Sequence, residues 1–251
     1  ASVGWPHTHK DWDMLQRLSH GRVARTRGQT VGTALRTDFG PALSTLNMIL
    51  VAQRMRGQGV ARALIAALME GQDGRAYRLI STPAGRPLYA KMGFAEVGGI
   101  VHMQGCPSTL APSGRAVLAS AADRSAILAQ DACAVGGDRS RLLDALMTSA
   151  TFAVHAEHGQ VDGFACLRAF GAGYVIGPVS APDAEAGKAL ICFLAARVPG
   201  QILRLDVTEE SGLAPWLAEI GLAEVTRAPI LHRGDAVMSR NLLAICNQAF
   251  G

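Results

Sequence analysis

The chain repeats itself. Gly28-Gln29-Thr30-Val31-Gly32 recurs as Gly159-Gln160-Val161-Asp162-Gly163, Met92-Gly93-Phe94-Ala95-Glu96-Val97 as Ile220-Gly221-Leu222-Ala223-Glu224-Val225, and Ile100-Val101-His102 as Ile230-Leu231-His232. The order and separations agree, so the sequence encodes two copies of one unit. Each Gly-Gln segment looks like a hairpin turn between two strands. Pro, Gly and Ser concentrate from Gly105-Cys106-Pro107 to Pro112-Ser113-Gly114, which marks a connection. The expected division is a first domain over residues 1–106, a linker over 107–119 and a second domain over 120–251. A length of 251 residues gives two modest domains ample core.

Hydrophobic patterning predicts the elements of each copy. In the first, strands are expected near Arg22 to Arg27, Gln29 to Leu35, Leu46 to Val51, Ala76 to Ile80, Ala95 to Gly98 and Ile100 to Met103, with helices near Asp11 to Leu18, Gly57 to Met69 and Arg86 to Met92. In the second, helices near Asp123 to Val135 and Ser140 to Thr148 precede strands at Thr151 to Ala156, Gln160 to Ala169 and Tyr174 to Pro178. A helix from Pro182 to Arg197, a strand from Ile202 to Val207, a short helix around Ala214 to Ile220 and a closing strand pair follow. The fold class is α/β (α+β), a mixed twisted sheet flanked by helices, twice over.

Chemistry enters at Arg56-Gly57-Gln58-Gly59-Val60-Ala61, wedged between an apolar strand and an amphipathic helix. The first turn of a helix carries unpaired backbone N–H groups and the positive end of the helix dipole, so it attracts phosphate. At Gly57 and Gly59 no Cβ blocks approach or limits φ, and Arg54, Arg56 and Arg62 add positive charge. Val60, Ala61, Leu64, Ile65 and Leu68 share one helical face that can pack on a sheet. A second segment, Leu88-Tyr89-Ala90-Lys91-Met92-Gly93-Phe94, follows the apolar run Tyr77 to Ile80.

Together the two segments resemble the GCN5-related N-acetyltransferase (GNAT) superfamily. In that family a Q/R-x-x-G-x-G/A loop cradles the pyrophosphate of acetyl-CoA, and Arg56, Gly59 and Ala61 occupy its three defining positions. The family's later Leu-Tyr-x-x-x-Gly-Phe stretch matches Leu88, Tyr89, Gly93 and Phe94. The resemblance implies that the main chain of Met48, Ile49, Leu50 and Val51 binds the pantetheine arm. It implies further that Met55, Arg56, Gly57, Gln58, Gly59, Val60, Ala61 and Arg62 hold the diphosphate, and that Tyr89 protonates the departing CoA thiolate. A tyrosine suits that task, because its ordinary pKa of about 10 lies above a thiol's roughly 8.5. The implied activity is acetyl transfer from acetyl-CoA, as co-substrate and with no metal, to a primary amine of a small molecule by direct attack in a ternary complex. A reading from another class is a non-catalytic acyl-CoA sensor or interaction protein that signals through its second domain.

That second domain resembles a relative that has lost the chemistry. Aligning Arg62-Ala63-Leu64-Ile65 with Lys188-Ala189-Leu190-Ile191 sets Pro182, Asp183 and Glu185 opposite Arg56, Gly57 and Gly59. Carboxylates at those positions repel phosphate, and as acids at a helix N-terminus they have a simpler use. Leu217 falls opposite Tyr89. The Gly171-Ala172-Gly173-Tyr174 turn and strand edges of this copy could serve dimerisation or acceptor selection.

The N-terminus departs from the family, whose members begin with a strand and a helix, whereas this chain reaches Gly4-Trp5-Pro6-His7 at once. An ammonium acceptor must lose a proton before it attacks, and Thr45 to Val51 contains no carboxylate to take it. Candidate bases are His7, His9, Asp11 and Asp13, with Trp5 and Trp12 as pocket walls. His7 has an ordinary pKa near 6.5, suited to neutral pH, while Asp11 and Asp13 equally favour a helix start.

Composition sets the outer bounds. Hydrophobic residues make up 49% with only 5% aromatics, so the core is aliphatic, and no apolar run of about twenty residues predicts a membrane span. Cys106, Cys133, Cys166, Cys192 and Cys246 are scattered without CxxC spacing and read as reduced thiols, not as disulfides or a zinc site. The formal charge of +4 comes from arginines that form no stripe with aromatics, which speaks against nucleic acid. The expectation is a cytoplasmic protein with a small-molecule amine as partner, no nucleic acid or membrane partner, and scope for a homodimer.

Overall fold

The computed structural model describes residues 7–108, 115–157, 159–235 and 238–251. Trp5 and part of the expected linker lie outside these residues. The first copy runs α1 (His9–Leu18), β1 (Ser19–Thr26), β2 (Gln29–Phe39), β3 (Leu43–Val51), α2 (Val60–Met69), β4 (Ala76–Ile80), α3 (Arg86–Lys91) and β5 (Ala95–Gly105). The second begins with β6 (Ala116–Leu118) and α4 (Arg124–Val135). It then repeats the first in order, as α5 (Ser140–Met147), β7 (Thr151–Glu157), β8 (Gln160–Phe170), β9 (Gly173–Ser180), α6 (Ala184–Ala195), β10 (Leu203–Thr208), α7 (Leu213–Glu219) and β11 (Leu222–Arg233). A short β12 (Leu242–Ala244) closes the series.

Local chemistry explains the starts and turns. Thr8 and Asp11 form a reciprocal capping box: the Asp11 carboxylate accepts from the Thr8 N–H at 2.8 Å, and the Thr8 hydroxyl from the Asp11 N–H at 3.4 Å. The first hairpin turns on Arg27 and Gly28, both with positive φ (47° and 76°), between the paired Thr26 and Gln29. Two such residues in a row match the twist of the flanking strands.

Three expectations need correction. Ala95 to Gly98 and Ile100 to Met103 are one continuous strand, β5, and the closing strand pair is likewise the single strand β11. Gly99 does not break β5 because Gly98 and Gly99 pair with Ile230 and Pro229 of β11, and β5 carries the irregularity as a bulge at Val97, the extra residue between the partners of Ile230 and Leu231. Residues 116–118 of the expected linker form β6, paired with β7.

The strand order is β1-β2-β3-β4-β11-β5-β10-β12-β9-β8-β7-β6 in one twelve-stranded sheet. The last strand of each copy has therefore changed places. β11 of the second copy pairs with β4 of the first, and β5 of the first pairs with β10 of the second. The core follows this exchange. One cluster joins Leu15, Phe39 and Leu43 of the first copy to Ile127, Leu142, Phe164, Ile245 and Phe250 of the second. Buried ion pairs stitch it: Arg168 of β8 meets Asp11 of α1 at 2.8 Å, and the fully buried Arg139 and Asp131 meet at 2.6 Å. Such pairs are costly to break one partner at a time. Cys166 and Cys246 are buried in the same cluster.

Candidate active site

Along one edge β3 pairs with β2 from Leu43 to Val51, but along the other it pairs with β4 only at Leu43, Ser44 and Thr45. Beyond Thr45 the two parallel strands part, and the β3 edge facing the gap has no strand partner among the described residues. A bulge bends β3 at the same place: Leu35 faces Asn47 and Thr33 faces Leu50, so Ala34 alone spans Met48 and Ile49. Met48 takes a positive φ of 48°, and its carbonyl accepts from the Thr33 hydroxyl at 3.1 Å. A non-glycine residue held there costs about 1–3 kcal/mol, and such strain concentrates at functional sites.

The parting strands open a cavity of about 310 Å³. Leu46, Asn47, Met48 and Ile49 of β3 line it, with Ile80 and Thr82 at the end of β4 and Tyr89 of α3. His102 of β5 and His7 add imidazoles, while Phe170, Arg204 and residues 247–249 reach in from the second copy. The Tyr89 ring is buried against Phe94 with centroids 5.9 Å apart, and its hydroxyl makes no hydrogen bond to a described residue. Burial pushes the phenol pKa up to about 12. The ring of His7 lies 5.6 Å from Trp12 and 5.5 Å from Phe170. Burial lowers its pKa, with the Asp11 carboxylate opposing. His102 is lowered too, by burial first and then by the Arg204 guanidinium.

At the far end of β3 stands the glycine loop. Gln53–Met55 form a single 3₁₀ turn, Gly57 and Gly59 have φ of 76° and 78°, and Gly59 is the N-cap of α2. Among the described residues no side chain caps α2, and a Cβ built on either glycine meets none of their atoms within 4 Å. Glycine is thus required there by the backbone, and the space above it is open. The helix N–H groups of Val60, Ala61 and Arg62 point at that opening, flanked by the exposed Arg56 and Gln58 and the half-buried Met55. These residues form a cradle fit for a diphosphate, continuous with Leu50 and Val51 but outside the cavity itself.

The same strand junction in the second copy is closed. Asp183 caps α6, accepting from the Ala186 N–H at 2.8 Å, and Glu185 pairs with Lys188. β12 lies between β9 and β10, pairing with both, and so fills the gap that stays open between β3 and β4. Leu243 packs so closely on Gly187 of α6 that a Cβ there would collide with it. Leu217, opposite Tyr89 in the repeat, is wholly buried.

Of the other candidate bases, none reaches the cavity. Asp11 is committed to Thr8 and Arg168, Asp13 pairs with Arg17 on the surface, and His9 is exposed. Trp12 does not line it either, although it touches His7. Sequence reasoning missed Asn47, His102, Phe170, Arg204 and residues 247–249. His102 carried a signal, since the repeat pairs it with His232, and both prove buried against the other copy: Asp206 faces His102 across β10 and β5, and Arg78 faces His232 across β4 and β11.

Models of the acetyltransferase (GNAT) domain match the chain twice, over residues 8–109 and over residues 127–243. The chain belongs to the GNAT superfamily. A curated relative, described as the uncharacterized N-acetyltransferase YitH of Bacillus subtilis, is 28% identical to this tandem GNAT protein, over 100% of the present chain and 92% of its own. Among solved structures, a candidate acetyltransferase from Pyrococcus horikoshii superposes with a TM-score of 0.81 at 17% identity, covering 96% of this chain and 84% of that one. A tandem GNAT protein from the clavulanic acid biosynthesis pathway superposes with a TM-score of 0.59 at 14% identity, covering 92% and 89%. The fold is therefore that of two GNAT units in tandem.

Proposed function

We propose that this GNAT protein transfers an acetyl group from acetyl-CoA to a primary amine of a small molecule, by direct attack in a ternary complex, in the cytoplasm. The observation that carries the reading is the open edge of β3, which leads from the glycine cradle into a cavity lined by a buried tyrosine. An extended pantetheine arm can pair with free main-chain groups of Met48 to Val51 as an added strand would. The loop from Met55 to Arg62 would take the diphosphate on backbone N–H groups. Acetyl-CoA supplies the activated thioester; the protein supplies position and proton traffic. As the C–N bond forms and the C–S bond breaks, Tyr89 gives its proton to the sulfur. A phenol pushed up to about 12 is fully protonated at neutral pH and able to donate. His7, whose pKa burial holds below the usual imidazole value, is free base at neutral pH and takes the ammonium proton.

The test is calorimetric titration of acetyl-CoA into the wild type and into Gly59→Glu, which copies Glu185 of the second unit into the first. Binding by the wild type alone, followed by thiol release with an amine, is the expected result. Binding without thiol release for any amine would favour the sensor reading. An acetylated enzyme that accumulates with acetyl-CoA alone would overturn direct transfer.

A further inference from the structure

One wall of the cavity belongs to the second copy, and it carries the only permanently charged side chain on the lining among the described residues, Arg204. Its Nε and Nη2 donate to the fully buried Asp206 at 2.8–3.2 Å, and its guanidinium carbon stands 5.2 Å from the centre of the Phe170 ring. Gripped along one edge and stacked on an aromatic ring, the guanidinium has little freedom to turn. Its remaining nitrogen, Nη1, makes no hydrogen bond to a described residue and is not sealed from solvent. The site therefore presents a fixed, cationic N–H edge that no described residue engages.

Two further lining residues hold unpaired polar atoms. Asn47 Oδ1 and His102 Nε2 are buried without a hydrogen-bond partner, although the Asn47 amide nitrogen donates to Thr37 at 3.0 Å. Both atoms are sealed from solvent inside the cavity wall, so the polar group that this wall presents to a ligand is Arg204 Nη1. A carboxylate is the anion that fits a single free guanidinium edge whose other edge is already neutralised by Asp206.

Building on the acetyl-transfer reading, we propose that the acceptor is an amino acid or a similar small amine bearing a carboxylate, seated on Arg204. The second copy, which has lost its own phosphate cradle, then selects the acceptor for the first.

The test compares matched acceptors on the full-length chain at saturating acetyl-CoA, by thiol release: each of a panel of amino acids against its carboxamide and its decarboxylated amine, with aminoalkyl phosphonates as the other anion. At least about tenfold higher kcat/KM for an acid than for its uncharged partners is expected. Arg204→Gln alone would strand the buried Asp206, so the variant is Arg204→Gln with Asp206→Asn. It should bring that preference close to one, mainly through KM, and leave acetyl-CoA affinity unchanged. Uncharged amines used as well as the acids would overturn the proposal, as would a double variant that keeps the preference. Better use of phosphonates than of carboxylates would overturn the carboxylate assignment. If acetyl-CoA binds but no amino acid is acetylated, this inference fails while the cofactor reading stands; if acetyl-CoA does not bind, the reading beneath it fails. The comparison of acid with carboxamide needs no variant, so it decides even where the double variant does not fold.

Discussion

At single residues, burial without neutralisation decides the chemistry. Tyr89 has no charged partner among the described residues, and burial of its ring keeps the proton on the phenol. Tyr89→Phe should lower kcat about 100-fold or more while acetyl-CoA affinity stays within about twofold, measured by thiol release and calorimetry. The wild-type rate should show no alkaline fall attributable to this phenol below about pH 11. His232 is the structural counterpart. Its Nε2 accepts from Nε of the buried Arg78 at 2.7 Å, so it must be neutral, and burial and then Arg78 push its pKa down to about 4. A depressed folded-state value contributes stability above about pH 6.5 and loses it as the pH falls toward 4, by up to about 3 kcal/mol. Denaturant midpoints measured across that window should fall with acid. In His232→Gln, whose amide oxygen can still accept from Arg78, the fall should be shallower.

At the level of elements, β12 is what separates the two copies. Gly59 leaves the first cradle bare, whereas in the second copy three residues of β12 stand where the first copy keeps an open edge. Leu243→Ala should cost about 2–5 kcal/mol, read as a lower denaturation midpoint, because the side chain is buried against Gly187 and Leu213. β12 had no signature in the sequence, since a three-residue strand is too short to show periodicity and is defined only by the gap it occupies. The cradle, by contrast, was legible, because positive φ and close backbone approach call for glycine at fixed spacing. Tyr89 was legible through its Leu-Tyr and Gly-Phe neighbours. Asn47 and Arg204 were not: each is one polar residue in a strand, and only the assembled sheet shows which face it turns to the cavity. His9, Asp11 and Asp13 misled for the reverse reason, since acids and polar residues at a helix start serve capping and ion pairing as readily as proton transfer.

Across the whole molecule, the repeat predicted two units and the order of their elements, and both are present. It gave no hint that β5 and β11 change places, because exchange leaves every local pattern intact and alters only which copy supplies the neighbouring strand. Closing the sheet this way brings Phe170, Arg204 and residues 247–249 to a cavity that begins in the first copy. In proteins that complete a site by pairing separate chains, dilution empties it. Here the two parts are tethered, at an effective concentration of the order of millimolar that no dilution changes. Acetylation per mole of enzyme should accordingly be constant from about 10 μM down to about 1 nM protein. A specific activity that fell with dilution would mean that a second molecule supplies part of the working site.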